Sequence, residues 1–256
     1  MKRVLAVGIL GIVAVALSAA GFDLSAVAND GVAKADAKGD VKAAAKKLGE
    51  SSYSWTSTPK SEAAAGGQQR GFQQGPTEGK TEKDGFTCVT TKVGENTVEA
   101  ALKGAKVAVK TGDGWKGASD LPQGADARRD PAANIARGLA QFKAPAAQAE
   151  SLVDKVRDLK DEGEGAFSGE LTEEGVKELL SFGRRPGGNA PTVADPKGSA
   201  KFWVKEGQLA KYEYKVQGKM TFGQREIDIN RTTTVEIKDV GTTKVEVPED
   251  AKKKLE

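Results

Sequence analysis

Histidine is absent from the whole chain. With it go the Ser-His-Asp and Cys-His nucleophile systems, histidine-ligated zinc or copper, and any imidazole-based pH switch. A single cysteine, Cys88, leaves no internal disulfide and no Cys-x-x-Cys pair for metal binding or thiol exchange. The fold therefore rests on packing. Aromatic residues are scarce at 5%, glycines number 31, and 38% of the 256 residues are hydrophobic, which supports one medium-sized, loop-rich core. Charge of one sign is lacking too: 39 Lys+Arg against 36 Asp+Glu leave +3, too even a balance for electrostatic capture of nucleic acid. No nucleic-acid partner and no cofactor are expected.

One long apolar run is present, over residues 4–20, preceded by Lys2 and Arg3 and followed by the small-x-small pattern Ala26-Val27-Ala28. This reads as an export signal peptide over residues 1–28 rather than an uncleaved membrane span, because the positive start is short and the exit is lined with small residues. Cleavage removes Lys2, Arg3 and Asp23 and leaves the charge balance near neutral. No cysteine lies nearby to carry a lipid, so the mature chain is expected to have no stable membrane anchor and to be free in the periplasm or outside the cell; it is expected to be a monomer. Cys88 sits among Phe86, Thr87, Val89 and Thr90, a strand-like setting in which an unpaired thiol is expected to be buried.

Residues 29–49 form a lead-in and an Ala- and Lys-rich helix with Val32, Val41 and Leu48 as anchors and Gly49 as its stop. Residues 51–58 alternate so that Tyr53 and Trp55 share one strand face. Residues 60–79 are rich in Gly and Gln and read as a surface loop or irregular edge hairpin. Turn signals at Asp84-Gly85, Gly94, Gly104 and Gly112-Asp113-Gly114 then separate strands over 86–92, 97–102, 106–110 and at Trp115, with Val98, Ala100 and Leu102 on one face, Val107 and Val109 on one face, and the opposite face wet. Asp130-Pro131 opens a helix with Ile135, Leu139 and Phe142 on one stripe. A second helix from Pro145 carries Leu152, Val156 and Leu159 toward the break at residues 163–165. After a strand over 165–169, Thr172 caps a third helix, Leu171 staples onto Val176, and Leu179, Leu180 and Phe182 complete its apolar side. Residues 183–198, with three prolines, read as a movable loop. Strands return over 200–205, 208–217, 219–222, 225–237 and 243–247. Residues 50–256 are thus expected to form a single α+β domain, an antiparallel sheet over a small helical layer.

The run of residues 201–216, with Lys201, Trp203, Val204, a turn at Gly207, Leu209 and Lys211, resembles a hairpin of the lipoprotein-carrier superfamily, which includes LolA-like carriers and LppX/LprG-like envelope proteins. The resemblance implies a curved antiparallel sheet, an incomplete barrel, covering about three to four helices with an apolar cavity that in some members accepts acyl chains. The chain departs from lipoprotein members in lacking an acylated N-terminal cysteine.

On that reading the protein is an exported, non-catalytic carrier of an apolar or amphiphilic, lipid-like ligand. The candidate lining residues are Trp55, Phe86, Val109 and Trp115 from the first strands, Ile135, Leu139, Phe142, Leu179 and Phe182 from the helices, and Phe202 and Tyr212 from the last strands. Each of them also suits ordinary core. The alternative is an envelope protein-interaction module that binds a partner by strand addition. An enzyme would have to use the carboxylates Glu162, Glu164, Glu170, Glu173 and Glu174, but Glu173 and Glu174 suit a helix N-terminus and the others a solvated turn. The pairs Arg128-Arg129 and Arg184-Arg185 read as solvated surface charge.

Overall fold

Period-two alternation from Tyr53 onward builds eleven strands of one antiparallel sheet in the computed structural model, which describes residues 36–62, 74–83, 85–93, 96–124, 126–181, 192–222 and 225–256. The expected signal peptide, the lead-in to residue 35, the Gln/Gly stretch 63–73, Phe182, Arg184 and Arg185 lie outside the described residues. Ala35–Glu256 forms one unit by its internal contacts. The strands are β1 Tyr53–Ser61, β2 Gln74–Thr81, β3 Thr87–Val93, β4 Asn96–Lys103, β5 Lys106–Thr111, β6 Gly114–Gly117, β7 Lys160–Gly163, β8 Ala166–Glu170, β9 Thr192–Lys205, β10 Gln208–Phe222 and β11 Arg225–Lys238. Their spatial order is β6-β5-β4-β3-β2-β1-β11-β10-β9-β8-β7. The two meanders join where β1 meets β11, with Ser57 opposite Val235, and the sheet is open, with β6 and β7 at its edges.

Helices α1 (Ala37–Gly49), α2 (Pro131–Leu139), α3 (Pro145–Lys155) and α4 (Glu173–Ser181) share a core with the sheet face that carries Trp55, Phe202 and Tyr212. We call it the inner face. In α1, Val41, Ala44, Ala45 and Leu48 fall at i, i+3, i+4 and i+7 and are all buried, and the small alanines let α1 approach α3 and β10 closely. The α2 start is as the sequence indicates: Asp130 accepts the Ala133 N–H at 2.7 Å and Pro131 fills the first turn. We expect Asp130→Ala to lose about 1 kcal/mol of stability, read from the urea midpoint. An unchanged midpoint would mean that tertiary packing alone holds α2. Thr172 caps α4 through the Gly175 N–H at 3.1 Å. Leu171 and Val176, the expected staple, are both buried over Gly198 of β9.

Several boundaries differ from expectation. α3 stops at Lys155, so Val156 and Leu159 lie beyond it, Val156 bridging to Leu171. Phe142 likewise lies past the end of α2. Residues 74–79, expected in a surface loop or an irregular edge hairpin, form β2, which pairs antiparallel with β1 and β3, and residues 192–198, expected as loop, are strand. Each tolerates its proline at an irregularity: the β2–β3 register shifts between Gln74 and Thr77, around Pro76, and the β9–β10 register shifts opposite Asp195 and Pro196, where Asp195 takes φ 51°. β10 runs unbroken through Gly218, opposite that bulge. Residues 243–247 pair with no strand among those described. They lead into an additional helix, α5 (Glu249–Leu255), whose Ala251 and Leu255 bury Ala101 and Ala108 on the outer face of β4 and β5. That part of the outer face is dry, not wet. Lys254 of α5 pairs with Asp120 at 2.8 Å, and this contact, with the Gly117 N–H, holds the Asp120 carboxyl below its usual range.

Candidate functional site

The inner face at the centre of the sheet is built by register. Trp55, Ser57 and Pro59 alternate along β1, and their neighbours are Gly79 and Thr77 on β2, then Val89 and Thr91 on β3. On the other side come Val235, Thr233 and Arg231 on β11, with Tyr214 on β10 opposite Thr233. Facing this surface are Leu139 at the end of α2, Phe142 in the α2–α3 connection, Pro145, Gln148 and Leu152 of α3, and Leu179 and Leu180 of α4. Between the two layers lies a pocket of about 320 Å³. That volume is at the lower end of the roughly 300–1,000 Å³ of small-molecule sites.

Buried hydrogen bonds fix its walls. Trp55 stacks on Phe142 with ring centroids 5.5 Å apart and 20° between planes, and its Nε1–H donates to Thr81 Oγ1 at 3.1 Å. The indole can lie flat on β2 because Gly79 has no side chain; a Cβ there would stand 2.2 Å from Trp55 Cζ2. Deeper in the core, Tyr53 Oη accepts the Ala146 N–H at 3.3 Å, which ties β1 to the first turn of α3. Tyr212 Oη donates to Gln148 Oε1. Burial raises both phenols, Tyr212 well above the usual tyrosine range with Tyr214 and Tyr53 adding to the effect, so both stay neutral hydrogen-bonding groups.

Of the residues expected to line a cavity, Trp55, Leu139, Phe142 and Leu179 do so. Val109 and Ile135 belong to the same core away from the pocket wall. Phe202 and Tyr212 are fully buried and stack with centroids 6.4 Å apart, as support beneath it. Phe86 and Trp115 are not in this layer. They pack on the outer cluster under α5, because their positions fall on the opposite parity from Val89 and Val109. The sequence reading missed the polar members of the wall, Gln148, Lys155, Glu178 and Arg231. Arg231 left a signal, being a charge at the inward parity of a strand that carries Ile229, Thr233 and Val235 there.

Two other depressions are walled by described residues. One of about 200 Å³ lies between β5, the segment from Leu121 to Gln123, and α2. A wider, polar one of about 910 Å³ on the outer face is walled by Glu78, Lys80, Cys88, Thr90, Asp239, Lys244 and Glu246. Cys88 is half-buried here, against the outer cluster and not fully buried; burial raises its thiol, with Lys80 acting in the opposite direction, and Sγ donates weakly to the Glu246 carbonyl at 3.8 Å. The acidic residues of the middle segment face outward: Glu162 is held below the usual carboxylate range by Ser168 and Lys201, and Glu173 and Glu174 occupy the first turn of α4. No group of His, Cys, Asp and Glu suited to a metal ion occurs among the described residues, and no helix among them is long and apolar enough to cross a membrane.

No protein-family model matches the chain, and no curated protein matches it in sequence. Among solved structures the chain is similar to a LolA superfamily protein from Nitrosomonas europaea, at 10% identity and a TM-score of 0.33, over 84% of this chain and 96% of that one.

Proposed function

We propose that the protein is an exported, non-catalytic carrier that holds an apolar or amphiphilic ligand between the inner face of its sheet and helices α2, α3 and α4. Residues 1–28 serve as the export signal in this reading, and residues 50–256 form the carrier domain, an incomplete barrel around its helices. The observation that supports it is the pocket itself, whose apolar walls come from Trp55, Val89, Leu139, Phe142, Leu152, Leu179, Leu180 and Val235. Each methylene that leaves water for such a site contributes about 0.8 kcal/mol. Ten of them give about 8 kcal/mol, the scale of a micromolar dissociation constant before ordering costs are subtracted.

Leu139 and Phe142 close the pocket from the end of α2 and the connection to α3, so a swing of α2 about residues 140–144 is the economical route for entry and release. The competing reading, a module that recruits an envelope protein by strand addition, would use a free sheet edge. Edge strand β7 presents the exposed charges Lys160, Asp161 and Glu162, which guard such an edge against pairing.

We expect the mature protein to take up a fluorescent fatty acid saturably and at one equivalent per chain, and to release an amphiphile on solvent extraction after purification from its own envelope fraction. Absence of uptake, together with a native mass equal to the bare chain, would discard the carrier reading in favour of the interaction module.

A further inference from the structure

The pocket is lined by apolar and charged residues together. Lys143, Lys155, Glu178 and Arg231 are its charged lining residues, which leaves two positive charges in excess in a chain that is otherwise close to neutral. Lys155 is committed to local partners, pairing with Glu178 at 3.2 Å and donating to Ser151 Oγ at 2.9 Å. Lys143 donates to the same hydroxyl at 3.2 Å.

Arg231 is different. It lies on the inner face of β11, with Val216 of β10 and Ser61 of β1 as its register neighbours and Ile229 and Thr233 on either side along the strand. No carboxylate among the described residues pairs with it, and its Nε is buried without a hydrogen-bond partner. The other buried orphan atom among the described residues, Asn230 Oδ1, belongs to a residue at the outward parity of the strand. A guanidinium carries five N–H donors and cannot shed its charge, so a buried donor without an acceptor is an uncompensated cost of desolvation. An apolar residue at 231 would continue the strand's pattern and avoid it. An anion in the pocket would offset that cost by pairing with the guanidinium charge, because a planar guanidinium matches a carboxylate with two parallel hydrogen bonds.

We infer that Arg231 anchors the anionic head of a single-chain carboxylate amphiphile whose hydrocarbon tail fills the pocket between the sheet and α2, α3 and α4. This rests on the carrier reading and adds the headgroup that the carrier selects. Arg231 supplies the directed contact. Lys143 and Lys155 add positive potential on the α3 side of the wall. The apolar residues set the length of tail accepted.

The test is titration calorimetry of the mature chain with decanoate and with 1-decanol, which share a tail length and differ in the head. The wild-type protein is expected to bind decanoate at least tenfold more tightly than decanol. Arg231→Gln is expected to weaken decanoate binding about tenfold, to leave decanol within twofold, and Arg231→Lys to restore part of the loss. Equal wild-type affinities for the two probes, or an Arg231→Gln variant that weakens both alike, would overturn the anchor while leaving a carrier of neutral ligands standing. Binding of neither probe would remove the carrier reading and the anchor with it. If Arg231→Gln does not fold, the wild-type preference between the two probes decides the question alone.

Discussion

Truncation of Phe202 to alanine should lower stability by about 3–5 kcal/mol, a large part of the roughly 5–15 kcal/mol that holds a domain of this kind together. Phe202 has no exposed surface, stacks on Tyr212 and stands in register opposite Phe167 of β8. Its ring therefore joins three strands of the inner face, and the hole it leaves is hemmed by residues that cannot collapse without bending the sheet. The next residue provides the control. Trp203 is larger but points outward, half-buried, with the Lys211 and Lys201 ammonium groups 4.5 and 5.4 Å from its ring centre. Exposed contacts of that kind contribute about 0.5–1 kcal/mol, so Trp203→Ala should cost far less than Phe202→Ala in the same urea titration. Equal losses from the two would mean that the inner and outer faces of β9 have been assigned the wrong way round.

Parity of this sort made much of the fold readable before any coordinates. Alternation placed Tyr53 with Trp55 and Val107 with Val109, and the glycine turns separated β3 to β6 at the correct points. Side-chain capping at Asp130 and Thr172 located two helix starts. What failed was the inference from composition where tertiary pairing overrides it. Pro76 and Pro196 look like loop residues because a proline cannot donate to a ladder, yet a bulge removes the need for that donor and the strand continues around it. Residues 243–247 alternate as a strand should, with Val245 and Val247 on one side, but no described strand pairs with them and the two valines cover the outer cluster instead. α5 was overlooked although Pro248, the acids at its start, the lysines at its end and the i, i+4 pair Ala251 and Leu255 all mark a helix. The candidate site was half legible for a related reason. Apolar stripes on α2 and α4 point to Leu139 and Leu179, whereas Phe86 and Trp115 stand at the parity opposite Val89 and Val109 and face the outer cluster. The charged wall depends on which strands become neighbours, and the β1–β11 junction that sets Arg231 opposite Ser61, on the same face as Ser57 and Pro59, joins segments at least 170 residues apart.

Gly79→Ala should both destabilise the protein and spoil the pocket, and the two effects share one cause. The added Cβ would lie 2.2 Å from Cζ2 and 2.3 Å from Cε2 of Trp55, distances at which the indole has to leave. It cannot retreat toward Phe142, already stacked 5.5 Å away, without driving that ring into the space between the layers, and any rotation breaks the bond from Nε1 to Thr81. Overpacking of this kind costs about 1–3 kcal/mol. Because Trp55 and Phe142 are both walls of the pocket, the affinity for a fluorescent fatty acid should fall about tenfold, which corresponds to roughly 1.4 kcal/mol, and the near-ultraviolet circular dichroism of the tryptophans should change with it. Gly138 in α2 separates this steric effect from the general effect of adding a methyl group. A Cβ there meets nothing within 4 Å, so Gly138→Ala should raise stability by about 0.5–1 kcal/mol. Opposite signs for two identical substitutions would identify the contact between Trp55 and the bare backbone of β2 as the feature that shapes the site. If Gly79→Ala bound the probe normally, Trp55 would be a core residue with no part in the pocket wall.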